Sequence, residues 1–183
     1  MTIRKAILPD LDAVEKLYEE VHDAEESGRQ TIGWIRGVYP VRSTAEAALE
    51  RGDLYVLISE AGIRGAAIIN QIQVDVYALG HWQYPAPEDE VCVLHTLVIS
   101  PEASGRGLGK AFVRFYEDYA LAHGCRELRM DTNERNAAAR ACTGSSATVR
   151  PASCPRCSMA YRTSGLSCWK NTCKNRRCSA GCS

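Results

Sequence analysis

Nowhere does this chain approach the roughly 20 consecutive apolar residues that a helical membrane span needs. That excludes a helical anchor from the expected architecture, and with no targeting segment at the N-terminus the expected compartment is the cytoplasm. Acidic residues are also missing, but from one part only. Between Cys142 and Ser183 there is no Asp, Glu or His, whereas 7 of the 9 cysteines and 7 of the 22 Lys and Arg residues fall there. The formal neutrality of the 183 residues therefore averages two unlike parts: residues 1–141 carry 15 basic and 22 acidic residues, a net of −7, and residues 142–183 carry +7. The second part has no apolar periodicity either, so it lacks the surface that would offset the entropy of ordering it. The organisation expected is one domain over 1–141 and a Cys/Ser/Arg-rich tail over 142–183, disordered or poorly packed.

Chemistry concentrates in Val91 to Phe112, which read VCVLHTLVISPEASGRGLGKAF: an apolar strand, a turn at Ser100-Pro101, a glycine-rich loop, and a helix opening at Gly109. Gly105, Gly107 and Gly109 have no Cβ, so successive backbone N–H groups can converge on an anion, and the following helix adds its positive end. The ligand implied is a pyrophosphate. A Walker loop lacks support, because Gly109-Lys110 is followed by Ala111 where that loop needs Ser or Thr. A dinucleotide fingerprint needs a βαβ unit near the start of a domain and an acid ending the next strand. Asp131 meets only the second condition. The remaining alternatives are a pattern of strand, Pro, Gly-x-Gly loop and helix midway along the chain, and a tight turn that binds nothing.

Around this segment the pattern is that of one α/β domain with a mixed sheet. Thr2 to Ala6 suits a first strand. Pro9, Asp10 and Asp12 start a helix that buries Leu11, Val14, Leu17, Tyr18 and Val21 on one face. A short helix is expected over Thr44 to Glu50, capped by Ser43 or Thr44. Asp53 to Ser59 and Arg64 to Gln73 read as strands joined through Ala61-Gly62, and Asp75 to Glu90 as a loop. Phe112, Phe115, Tyr116 and Tyr119 space a helix to His123, stopped at Gly124. Glu127 to Asp131 reads as the next strand, and Ala137 to Arg140 as a helix start.

The segment Ser104-Gly105-Arg106-Gly107-Leu108-Gly109, ahead of Lys110, resembles the acyl-CoA-binding loop of the GNAT superfamily of N-acyltransferases, Gln/Arg-x-x-Gly-x-Gly/Ala, departing from it at Ser104. The resemblance implies a single GNAT-like domain, a mixed sheet flanked by helices and incomplete at its C-terminal strands. It also implies an N-acetyltransferase that moves an acetyl group from acetyl-CoA to a primary amine by direct attack. Leu97, Val98 and Ile99 align with the strand whose backbone carries the pantetheine and thioester, Ser104, Gly105, Arg106, Gly107, Leu108, Gly109 and Lys110 with the pyrophosphate loop, and Asn136 with an Asn beside the cofactor. Leu94-His95-Thr96-Leu97-Val98-Ile99 resembles a strand of aralkylamine acetyltransferases, in which a His at this place serves in a proton relay. His95 is thus the first candidate base and Glu90 the second; a core histidine and a solvated loop acid are the plain alternatives. The family's thiolate-protonating tyrosine would fall on Thr143. Trp34, Tyr39, His81, Trp82 and Tyr84 lie in the two segments that flank the family's acceptor groove. The partner expected is a small-molecule or peptide amine, which the −7 charge favours modestly when cationic. No nucleic acid, membrane or metal is expected, and a homodimer is left open.

Four readings compete for the tail. Cys154 and Cys157 have the x2 spacing of zinc thiolates, but Cys168, Cys173, Cys178 and Cys182 supply no second such pair. Seven thiols are an odd number for disulfides, and a basic nucleic-acid tail has only Tyr161 and Trp169 to stack. In the fourth reading the tail is translated out of frame. Reading each codon from Cys142 one nucleotide earlier, with ordinary codon choices, turns Cys142 to Arg150 into Leu-Tyr-Arg-Lys-Leu-Gly-Tyr-Arg-Pro. After Asn136 this restores the second GNAT signature, Asn-x-x-Ala-x-x-Leu-Tyr-x-x-x-Gly-Tyr/Phe. The reading favoured is therefore a transferase impaired in this chain. The alternatives are a catalytically dead CoA-binding domain, or a domain with a Cys-rich zinc- or nucleic-acid-binding tail.

Overall fold

The computed structural model describes residues 1–75, 77, 86–133, 136, 137, 139, 148–149 and 156–162. The chain runs through β1 (Thr2–Lys5), α1 (Leu11–Glu26), α2 (Arg42–Arg51), β2 (Leu54–Ser59), β3 (Gly62–Asn70), β4 (Val91–Ile99), α3 (Leu108–Ala122), β5 (Glu127–Asn133), β6 (Thr148–Val149) and β7 (Arg156–Arg162). One sheet takes all seven strands in the order β1-β2-β3-β4-β5-β7-β6. Only β4 and β5 run parallel, because α3 carries the chain back across the sheet between them; every other neighbour is antiparallel.

Alternation along the strands sorts the core into two layers. Leu54, Val56, Ala66 and Ile68 face α1 and α2, where Leu11, Val14, Leu17, Tyr18, Val21, Ala45 and Ala48 are buried against them. Their neighbours Tyr55, Leu57, Ala67 and Ile69 face the other way with Cys92, Leu94, Leu128 and Met130, and Phe112, Tyr116 and Ala120 of α3 close that layer. Tyr55, Phe115 and Tyr119 add edge and tilted ring contacts at 5.3 and 5.5 Å. Burial pushes the Cys92 thiol up to about 12, with Cys125 beside it adding to the effect.

The ends of the elements have local causes. Arg4 holds Asp10 through two hydrogen bonds of 2.6 and 3.0 Å, and Asp10 also accepts the Ile7 N–H at 2.8 Å, which fixes the approach to α1. The Arg4 guanidinium holds the Asp10 carboxyl below its ordinary range. α2 begins at Arg42, two residues before the expected start, and is not capped as expected. Val41 at the cap position has no polar side chain, so Thr44 reaches back from the first turn and its Oγ1 accepts the Val41 N–H at 3.1 Å. α3 starts at Leu108 rather than Gly109.

Composition assigns no strand to 142–183, and at two places the structure departs from that. Seven backbone partners join β5 to β7, from Glu127↔Arg162 to Asn133↔Arg156, and Thr148 and Val149 pair onto the outer side of β7. The free side of β5 presents a row of backbone N–H and C=O groups, and backbone pairing there needs no apolar side-chain pattern. The rest of the tail, including six of its seven cysteines, lies outside the described residues.

Tyr116 joins α3 to the sheet. Its buried hydroxyl donates to Cys92 O at 2.6 Å and accepts the Arg129 N–H at 3.1 Å, so one phenol ties α3 to both parallel strands. Replacing Tyr116 with Phe should lower the free energy of unfolding in urea by about 1–3 kcal/mol, the usual consequence of stripping a buried amide of its partner. An unchanged midpoint would mean that the phenol does not hold the strands together.

Candidate active site

β4 and β5 begin as partners and then part. Pairing runs from Val91↔Glu127 to Leu94↔Met130 and goes no further among the described residues, although β4 continues to Ile99 and β5 to Asn133. On its other side β4 stays with β3 through Ile99. The register there jumps: Ala66 pairs Val98 but Ile68 pairs His95, so β4 places two residues, Thr96 and Leu97, opposite Ala67. Thr96 takes a left-handed conformation, φ 49°. A bulge of this kind bends a strand and strengthens its twist. The bend falls where β4 leaves β5, and from Leu97 to Ile99 the edge of β4 that faces β5 has no strand partner among the described residues, so another chain of amides could pair there.

The glycine loop stands at the mouth of this cleft. Ser100 is fully buried, donates to Glu20 Oε2 at 2.7 Å and takes Arg64 O through its own N–H at 2.9 Å, which anchors the strand's exit to α1 and β3. Pro101 to Ala103 form one 3-10 turn, and Ser104 is exposed beyond it. Gly105 and Gly107 both have φ 77°, and a Cβ on either would meet nothing within 4 Å. Backbone conformation, not crowding, therefore demands glycine, and the space above the loop is open. The first bond of α3 is Ala111 N–H to Gly107 O at 3.0 Å, so the amides of Leu108, Gly109 and Lys110 lie ahead of it. No side chain caps them. Arg106 and Lys110 are exposed beside the loop. Such a set of donors fits a pyrophosphate.

The other expected site residues divide by face. Leu97 and Ile99 pack toward the α3 layer, and Val98 is buried in the α1 layer, so what these three offer the cleft is backbone. His95 turns its Nε2 to two oxygens, Asn70 Oδ1 at 3.1 Å and Ile72 O at 3.0 Å. Both can only accept, because Asn70 Nδ2 is committed to Asp53 at 2.8 Å and its Oδ1 also takes the Ile72 N–H at 2.9 Å. Nε2 is therefore the protonated nitrogen, and the lone pair of the neutral ring is on Nδ1. Arg51 completes the row with a 2.9 Å bond to Asp53. Glu90 is not brought near His95. It ends the 3-10 turn ahead of β4, and its carboxylate lies 3.6 Å from Arg126. Asn136 Oδ1 accepts the Ala139 N–H at 3.0 Å, a helix-capping bond just beyond β5.

Among the aromatics, Tyr39 meets Trp34 edge-on with ring centroids 5.8 Å apart, and its hydroxyl bonds to Thr96 Oγ1 at the bulge. The buried Tyr18 hydroxyl beneath them has no partner among the described residues, and burial raises that phenol above its ordinary value. His81, Trp82, Tyr84 and Thr143 lie outside the described residues. On α1 and α2 six acids share two arginines, Arg36 with Glu19, Asp23 and Glu26, and Arg42 with Asp12, Glu15 and Glu46, so the cluster keeps an excess of negative charge. Among the described residues no three His, Cys, Asp or Glu stand together as metal ligands, and no helix is long and apolar enough to cross a membrane.

Sequence reasoning missed Asn70, Ser100, Glu20 and the bond between Tyr39 and Thr96. None has a linear signature, because each partner comes from a different element.

Known proteins share this fold. An acetyltransferase from Streptococcus agalactiae 2603, of the GNAT family, superposes with a TM-score of 0.73 at 21% identity, covering 89% of this chain and 95% of that one. Another from Listeria monocytogenes 4b F2365 gives 0.69 at 21%, covering 88% and 94%. N-acetylglutamate synthase from Neisseria gonorrhoeae, solved with coenzyme A and N-acetyl-glutamate, gives 0.59 at 15%, covering 88% of this chain and 34% of that one. At such identities the likeness is one of fold. No curated protein matches the chain. The model of the acetyltransferase (GNAT) family, however, matches residues 14–143, taking in both helical layers, the bulged strand and the glycine loop. The chain belongs to the GNAT acetyltransferases, enzymes that take an acetyl group from acetyl-CoA.

Proposed function

We propose that this chain acetylates a primary amine, small-molecule or peptide, with the cleft between β4 and β5 as the cofactor site. The observation that carries the reading is the end of β4–β5 pairing at Leu94 with the glycine loop standing at the mouth of the gap. The amides from Gly105 to Lys110 would hold the pyrophosphate, and the open backbone edge of Leu97 to Ile99 would pair with the amides of the pantetheine arm. When bound, acetyl-CoA supplies an activated acyl group. The chain's own task is then to align a neutral amine, polarise the acyl carbonyl with a strand N–H, and remove a proton.

His95 suits the last of these. Asn70 and Ile72 fix its Nε2–H and leave Nδ1 as the nitrogen that accepts a proton, directly or through water. Glu90, in the turn ahead of β4, points its carboxylate to Arg126 instead. The domain is drawn at 1–141, with the tail from Cys142 out of frame. The family match stops at residue 143, which supports that boundary.

Replacing Gly107 with Val forces a β-branched residue to φ 77° at the phosphate cradle and should weaken CoA binding at least tenfold, about 1.4 kcal/mol, by calorimetry. Equal affinity would remove the loop from the site. His95→Gln should lower kcat by ~10²–10⁴-fold and flatten the acidic limb of the rate profile while KM for acetyl-CoA holds. An unaltered profile would sink the base assignment and leave the transferase standing. Restoring the alternative frame from codon 142 should raise the rate of CoA release by ~10²-fold or more across a panel of amines, because Thr143 cannot stand in for a tyrosine acid. Early stop codons in that frame of the coding DNA would refute the reading.

A further inference from the structure

A threonine at positive φ is rare and costly, since its branched Cβ crowds the backbone there. Thr96 holds that conformation at the one place where β4 turns from β5. Something must over-determine it, and the side-chain hydroxyl is met by the Tyr39 hydroxyl, contributed by the segment between α1 and α2. That segment is itself fixed. Tyr39 N–H bonds to Ile35 O at 3.0 Å, the Trp34 ring abuts the phenol, and the next residue, Pro40, gives its carbonyl to the buried His22 Nε2 at 3.0 Å. We propose that Tyr39 is a positioning residue which holds Thr96 in its left-handed bulge and so keeps the cofactor cleft between β4 and β5 open. The inference rests on the proposed cofactor cleft and adds to it: an aromatic residue expected to line the acceptor groove acts on the cofactor side, through Thr96.

Glycine tells the two roles apart. It adopts φ near 50° without support, so at position 96 it removes the need for a holder. The test measures binding of CoA, by calorimetry, to the full chain and to Tyr39→Phe, Thr96→Gly and the double variant, with thermal melts to show that each is folded. Tyr39→Phe should weaken CoA binding about fivefold to tenfold, and in the Thr96→Gly background the same change should cost less than about twofold, a coupling expected of residues in contact. In turnover assays KM for acetyl-CoA should rise with Tyr39→Phe while KM for the amine moves little. An equal loss in both backgrounds, no loss at all, or a change confined to KM for the amine would each overturn the inference. If the unaltered chain failed to bind CoA, the cleft itself would be lost along with it; binding by the unaltered chain and by Tyr39→Phe alike would overturn the inference alone.

Discussion

The proposed cofactor site depends on two parallel strands that stop being partners. β4 and β5 share four residue pairs and then separate, β4 remaining with β3 and β5 with β7. Backbone groups that a continuous sheet would consume internally are thereby left along one wall of a wedge. Each strand is held on its far side, and Tyr116 pins the apex through Cys92 O and the Arg129 amide. The same arrangement gives the site its rigidity: what lines it is main chain.

Charged and polar side chains stand to either side of that wall. The exposed cations Arg106 and Lys110 flank the loop at the C-terminal end of β4, while the row Arg51, Asp53, Asn70 and His95 runs back toward its start. At that far end, on the α3 side, a cavity of about 370 Å³ is lined by Lys5, Asp53, Asn70 and His123 among others. Acids on α1 gather around Arg36 and Arg42 and outnumber them, so that surface stays negative.

How much of this was legible in the sequence follows from how local each cause is. α1 and the strand alternation were readable because Val14, Leu17, Tyr18 and Val21 repeat at the spacing of a single element, and the loop because glycine at 105 and 107 answers to its own φ. The direction of the His95 ring was not, since it is set by Asn70 and Ile72 from 23 to 25 residues away. Nor could the bulge be read: Thr96 looks like any β-branched strand residue, and only its register against Ala67 shows otherwise. The pairing of β7 was invisible for a different reason, because a backbone edge recruits a partner by its hydrogen-bonding groups, which every sequence carries.

The parallel pair also orders events in time. β4 can meet β5 only after the chain has passed through α3, whereas β2 and β3 need only the tight turn at Glu60 and Ala61. Contacts closed over longer loops form more slowly. The cleft is therefore a late product of folding, absent from any intermediate built on β1 to β3 and α1. A chain leaving the ribosome would gain nothing from cofactor until about residue 133 had emerged, so protection by cofactor reports the joining of the two halves rather than the survival of either.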